Sequence, residues 1–214
     1  MSSIPPEVQE PTPLPRGRHK LSRRHVRDSQ RSRLIHAVWN AVAEKGFGDT
    51  TVTDIVSRAR CSRNAFYEFF ADKEDCFLAA CDESNEQLLA LLSAEASAAT
   101  WTEALRRGLR VYLRWWQERP RIAVAYLTDL PTAGRRAIEQ RDRTYVQFGL
   151  LFEALAGRAR KEQPELPPLA PLAVPMLVAG LTELVGREIR FGRLARLHRL
   201  EDAIFNQIVR ALTN

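Results

Sequence analysis

Two helix-capping residues, Thr51 and Ser62, stand eleven positions apart and leave residues 46–72 few ways to fold. Upstream, Leu34, Val38, Ala41 and Val42 recur at spacings of three and four, and Gly46 follows where a helix needs a residue free to leave the right-handed region. The pattern predicts a first helix from about Arg23 to Lys45. Thr51 then caps a short second helix in which Val52, Ile55, Val56 and Ala59 share one face, with Asp54 favourably placed in the first turn. Ser62 starts a third helix after only two intervening residues. Two helices of about two turns each, joined by so tight a corner, form a helix-turn-helix pattern, one of the few short motifs with a defined geometry on duplex DNA.

The rest of the chain reads as helix too. Asp72 caps a fourth helix running to about residue 98, and Thr100 with Glu103 makes a capping box that opens a fifth, ended by Pro120. A short sixth fits residues 120–128, closed by Pro131. A long seventh fits 133–161, with Ile138, Tyr145, Phe148, Phe152 and Leu155 along one stripe. EQPELPP is a linker. The eighth helix is expected over 170–191, bent near Pro175, and the ninth over 198–212. Glycine is scarce, 10 of 214 residues, and hairpin signals are few, so the chain is expected to be all-α with about nine helices. Three segments follow: a disordered basic, proline-rich arm (1–22), a three-helix DNA-binding domain (23–71), and a larger helical domain (72–214).

Charge agrees with this division. The net +6 is concentrated in residues 16–33, where eight basic groups face only Asp28; residues 74–214 carry 19 basic against 18 acidic groups. Such a run is commonly a solvated arm, yet beside a nucleic-acid reader it supplies sequence-independent attraction to phosphates. Cys61, Cys76 and Cys81 make no disulfide framework and have no zinc-ligand spacing, which fits a reducing cytoplasm. Cys61 reads better as a small apolar residue than as a thiol sensor. His19, His25, His36 and His198 are scattered, and no Ser-His-Asp set, HExxH or phosphate loop accompanies them, so neither catalysis nor a cofactor or metal is expected. The N-terminus lacks the apolar core of a secretory signal. The longest apolar stretch, Leu169–Leu181, is 13 residues with two prolines, short of the roughly 18 that suggest a membrane span.

The run RLIHAVWNAVAEKGFGDTTVTDIVSRARCSRNAFYEFFADKEDCF resembles the N-terminal domain of the TetR family of transcriptional regulators. The resemblance rests on Gly46-Phe47, the Thr50-Thr51-Val52 cap, Asp54-Ile55, and Ser62 followed by Phe66-Tyr67, Phe70 and Lys73. It implies a homodimeric repressor that binds a palindromic operator and is released by a small hydrophobic effector, with the fourth helix alone joining head to body. The family's usual corner is Ala-Gly-Val-Ser. Here it is Ala59-Arg60-Cys61-Ser62, which puts a non-glycine where a positive φ is expected, at about 1 kcal/mol.

On the third helix, Ala65, Phe66, Phe69 and Phe70 supply the inward side, leaving Arg63, Asn64 and Tyr67 outward. Arg binds guanine and Asn binds adenine as two-bond forks, so Arg63 and Asn64 are the base-reading candidates; the alternative is phosphate contact alone. The resemblance assigns Tyr67 and Lys73 to the DNA backbone. The start of the second helix, at Thr51 and Thr53, adds phosphate contacts or serves only as a cap.

In the body, Tyr112, Trp116, Tyr126, Tyr145, Phe148 and Phe152 are the candidates to line an effector pocket. Arg106, Arg110 and Arg114 form a stripe that is either solvated or holds an anionic head group. The resemblance places the dimer on the last two helices, through Leu181, Glu183, Leu184, Arg187, Ile204, Phe205, Ile208 and Leu212, with Glu183 and Arg187 as rim ion pairs. Two other classes compete: a helical enzyme or lipid-binding protein whose first helices only resemble a DNA module, and an architectural or membrane-surface protein using the basic arm.

Overall fold

The computed structural model describes residues 23–213; the proposed arm, 1–22, lies outside them. Nine α-helices and no strand occur among the described residues: α1 (Arg23–Asp49), α2 (Val52–Ala59), α3 (Arg63–Tyr67), α4 (Lys73–Ala94), α5 (Trp101–Gln117), α6 (Pro120–Val124), α7 (Arg135–Glu162), α8 (Ala173–Arg190) and α9 (Glu201–Thr213). None of them is long and apolar enough to cross a membrane.

The capping residues act as the sequence requires. Thr51, Ser62, Asp72 and Thr100 each accept a hydrogen bond from the backbone N–H three residues on. Gly46 breaks α1 at φ 78°, and a Cβ there would lie 3.3 Å from Asp129 Oδ1, so both the backbone angle and the close approach demand glycine. Arg60 takes the left-handed conformation at the corner, φ 52° and ψ 43°, with its N–H on Ser57 O and the N–H of Cys61 on Val56 O.

The boundaries differ where local pattern gives way to packing. After α6 the chain makes a π-helical turn, Ala125–Asp129, and a 3-10 turn, Leu130–Thr132, rather than one short helix. Pro175 produces no bend, because it sits in the first turn of α8, where a backbone N–H has no partner within the helix. Residues 194–200 form a 3-10 segment that delays α9 to Glu201.

One continuous core runs through the molecule. In the head, Leu34, Val38, Ile55, Phe66 and Phe77 are almost wholly buried between α1, α2, α3 and α4. In the body, α5 is the central helix and packs on α4, α7 and α9. The expectation that only the fourth helix joins head to body is corrected: α1 also packs along α6 and the π turn. Phe47 N–H donates to Asp129 Oδ1 (3.0 Å), Arg121 donates to Asn40 Oδ1 (2.6 Å), and Arg136 at the start of α7 faces Asp72, Glu74 and Asp75.

Candidate nucleic-acid interface and effector pocket

The geometry of the reading head begins with its caps. Thr51 and Asp54 form a reciprocal box, the Thr51 N–H donating to Asp54 Oδ2 (2.9 Å) and the Asp54 N–H to Thr51 Oγ1 (3.2 Å). Hydrogen bonds from Lys45 and then from Thr51 hold the Asp54 carboxyl well below the usual carboxylate range. The Thr51 hydroxyl also donates to Asp54 Oδ2 (2.7 Å), so it is occupied by the cap, while Thr53, two residues on, is exposed. Arg33 donates to Ala59 O (3.0 Å), fastening the corner to α1. With the corner fixed, α3 buries Ala65 and Phe66 and turns Arg63, Asn64 and Tyr67 outward, Tyr67 at 52% exposure. The side chains of Arg63 and Asn64 have no hydrogen-bond partner among the described residues.

Lys73 has a different task from the one the resemblance implies. Its ammonium donates to the carbonyls of Phe47 (2.9 Å), Gly48 (2.8 Å) and Thr50 (2.8 Å) and lies 4.7 Å from the centre of the Phe47 ring. An ammonium has three N–H bonds, and all three are spent. Lys73 therefore ties the last turn of α1, beyond the Gly46 break, to Thr50 ahead of α2 instead of presenting a free donor to phosphate.

The body holds a partly open cavity of ≈ 220 Å³ between α4, α5, α7, α8 and α9, and Tyr112, Trp116, Tyr126, Tyr145, Phe148 and Phe152 all lie in its wall. Aromatics at helical spacing on α5 and α7 converge because both helices flank the centre of the body. Tyr112 and Trp116 meet edge to face at 6.0 Å, and Trp116 and Tyr126 lie 5.5 Å apart. The sequence reading missed the polar members Asn85, Thr144 and Thr182, each an isolated hydrophilic residue on an otherwise apolar helix face. Asn85 Nδ2 donates to Thr144 Oγ1 (3.1 Å), and the Tyr126 hydroxyl stands beside both. Burial pushes the Tyr112 and Tyr126 phenols well above the ordinary tyrosine range, so both stay neutral. Arg158, the one charged residue of the wall, donates to Glu162 Oε1 (2.8 Å), Ala96 O (2.8 Å) and Ala98 O (2.5 Å).

Several residues assigned to the dimer face the protomer's own interior. Ile204 (7% exposed), Ile208 and Leu212 (0%) are core, and Leu181 and Ile208 line the cavity. Phe205 is half-buried beneath Arg106, whose guanidinium carbon is 3.9 Å from the ring. Arg106 and Arg110 also pair with Glu201, and Arg106 with Asp202, so they clamp α5 to α9 and are not offered to an anionic ligand. Within the protomer Glu183 pairs with Arg190. The outer apolar face lies instead on α7 and α8: Val146, Leu150, Leu172, Met176, Leu184 and Phe191 are all exposed. These two helices approach closely at Gly149, where an added Cβ would meet Val174 at 3.1 Å.

No group of three His, Cys, Asp or Glu side chains suited to a metal occurs among the described residues. Cys76 and Cys81 are buried with their thiols pushed up by desolvation, and Cys61, half-buried, is raised for the same reason, opposed by Arg33.

Comparison with known proteins agrees with this anatomy. Residues 34–80 match the family model of the bacterial regulatory proteins, tetR family. No curated protein matches the sequence significantly. Among solved structures, the transcriptional regulator FadR from Bacillus subtilis, in complex with stearoyl-CoA, superposes with a TM-score of 0.76 at 16% identity, covering 84% of this chain and 98% of that one. The fatty acid degradation regulator FadR from Bacillus halodurans gives 0.73 at 18% identity, covering 83% and 96%. A TetR family transcription regulator from Marinobacter aquaeolei gives 0.67 at 25% identity, covering 88% and 97%. The chain thus carries the N-terminal domain of the TetR family of bacterial regulatory proteins on the helical fold of TetR-type transcriptional regulators.

Proposed function

We propose that this protein is a ligand-responsive transcriptional repressor that binds a two-fold operator as a homodimer in the cytoplasm and releases it when a small hydrophobic effector enters the body cavity. The observation that carries the reading is the segment 120–129, which touches both sites. Tyr126 stands in the cavity wall, and Asp129, three residues on, holds Phe47 at the end of α1. From Phe47 the connection runs through Lys73 to the loop that precedes the α2 cap, and α2 positions α3. An effector that moves Tyr126 alters the support of the reading head, in addition to any swing of α4. By linkage, the factor by which effector weakens DNA binding equals the factor by which DNA weakens effector binding. The Bacillus subtilis FadR complex with stearoyl-CoA supports the use of such a body as a ligand container.

On α3, Arg63 and Asn64 read base edges, while Tyr67 and the start of α2 at Thr53 hold phosphates. The dimer forms through the exposed apolar stripes of α7 and α8, with Leu184, Met176 and Phe191 central and Glu183 and Arg187 at the rim. Fluorescence anisotropy with duplexes from the DNA flanking its own gene tests the reading. One duplex is expected to bind at least ~10³-fold more tightly than a scrambled one at the same salt. Equal affinity for every duplex contradicts it.

A further inference from the structure

We infer that the body cavity takes an uncharged, largely apolar molecule of roughly nine or ten non-hydrogen atoms, with one hydrogen-bonding group seated against Asn85, Thr144 and Tyr126. The inference rests on the proposed effector role of this cavity and adds the chemical class of its occupant. Size is the first argument. A dry cavity of about 150 Å³ accepts benzene, and drug-sized ligands begin at about 300 Å³. At ≈ 220 Å³ this one has room for about half again the bulk of benzene.

Charge is the second argument. Burying an ionised group without a partner is prohibitive. The only charged side chain in the wall, Arg158, is already paired with the carboxylate of Glu162 and also donates to the carbonyls of Ala96 and Ala98. Tyr112 and Tyr126 remain protonated. No countercharge awaits a carboxylate or phosphate, so an acid is excluded in its ionised form, as is any acyl-CoA whose chain carries its head group inward.

The polar cluster sets the third property. Asn85 brings two N–H donors, and the hydroxyls of Thr144 and Tyr126 bring one each. The bond from Asn85 to Thr144 uses one of these four donors, and the Tyr126 hydroxyl stands beside both residues. Donors are left over for an oxygen on the guest, while most of the rest of the wall is apolar, broken by Tyr112, Tyr145, Thr182 and the Trp116 indole N–H. The cluster therefore orients the molecule, polar end toward α4 and α7, and discriminates between a hydrocarbon and its hydroxylated analogue.

Calorimetric titration of the full-length dimer with propylbenzene, 4-propylphenol, 4-propylbenzoate and octanoyl-CoA tests this. 4-Propylphenol is expected to bind about five- to tenfold more tightly than propylbenzene, the worth of one buried hydrogen bond. The benzoate is expected to be at least ~100-fold weaker than the phenol, because its charge is unpaired. Thr144→Val, nearly isosteric, should cut the advantage of the phenol to less than about twofold and leave propylbenzene unchanged, with Asn85→Leu as a second variant of the same cluster. Gly108→Leu should abolish binding of both, since Gly108 lines the cavity and a Cβ there meets Leu92 only at ordinary contact, 3.8 Å. Benzoate or octanoyl-CoA binding as tightly as the phenol overturns the inference, and so does full phenol affinity in Gly108→Leu. DNA affinity measured in the same samples separates the two readings: a phenol that binds in this pattern and leaves DNA binding unchanged contradicts the effector role but not the ligand class.

Discussion

Replacing Lys73 separates a structural role from a DNA-contacting one. Lys73→Met keeps most of the aliphatic stem against Phe47 and deletes three N–H···O bonds to the carbonyls of Phe47, Gly48 and Thr50. Hydrogen bonds from a charged donor contribute about 1.5–3 kcal/mol each when sheltered. Gly48 is exposed, so its carbonyl recovers water, and about 1 kcal/mol per bond is the fairer figure, roughly 3 kcal/mol in all. For a chain of this length that lowers Tm by about 6–12 °C. Differential scanning fluorimetry at matched protein concentration measures it. The salt slope of DNA binding by the folded variant should be unchanged, because no phosphate contact is lost. An unaltered Tm together with a slope reduced by about 0.9 per lost contact would refute the reasoning and restore Lys73 to the DNA backbone.

Other outcomes follow from the same geometry. Arg63→Ala and Asn64→Ala should relax base preference by about 1–3 kcal/mol at their own positions, whereas Tyr67→Phe weakens specific and random duplexes alike; one common loss for all three contradicts that division of roles. Asp129→Ala removes the acceptor of Phe47 N–H, and hydrogen exchange at that amide should quicken by ~10-fold or more while amides deep in α5 keep their protection. Met176→Asp with Leu184→Asp should yield folded monomers in sedimentation, since both side chains are exposed, at 70% and 44%. Ile204→Asp should unfold the chain, since Ile204 is core. A dimer surviving the α8 double substitution would send the interface elsewhere.

What could be read directly from the sequence was whatever short-range physics decides. Thr51, Ser62, Asp72 and Thr100 cap their helices because a side-chain oxygen three residues from a free N–H needs no tertiary help. The left-handed Arg60 was legible from the resemblance, whose usual corner has glycine at that position. Aromatic spacing on α5 and α7 brought five residues to one cavity wall, which Tyr126 joins from the π turn. What escaped depends on how helices meet. Helix α8 carries Val174, Val178, Val185 and Ile189 inward and Met176 and Leu184 outward, with Leu172 and Phe191 exposed at its two ends, and periodicity alone does not rank the two faces. Helix α9 offers one stripe, and the clamp of Arg106 and Arg110 on Glu201 turns it to the protomer's own core. The carbonyls that capture Lys73 are invisible to any side-chain pattern, as is the π turn that places Asp129 beside Gly46.

A hydroxyl-radical footprint on the DNA flanking the gene, with and without a bound effector, tests the central claim most directly. A dimer presenting two copies of α3 should protect two symmetric half-sites about 34 Å apart, or a multiple of that spacing, and the protection should fade as effector fills the cavity. Arg63→Ala and Asn64→Ala should erase both half-sites together. Protection of a single unpaired site, uniform coverage without half-sites, or a footprint indifferent to a ligand shown to occupy the cavity would contradict the account.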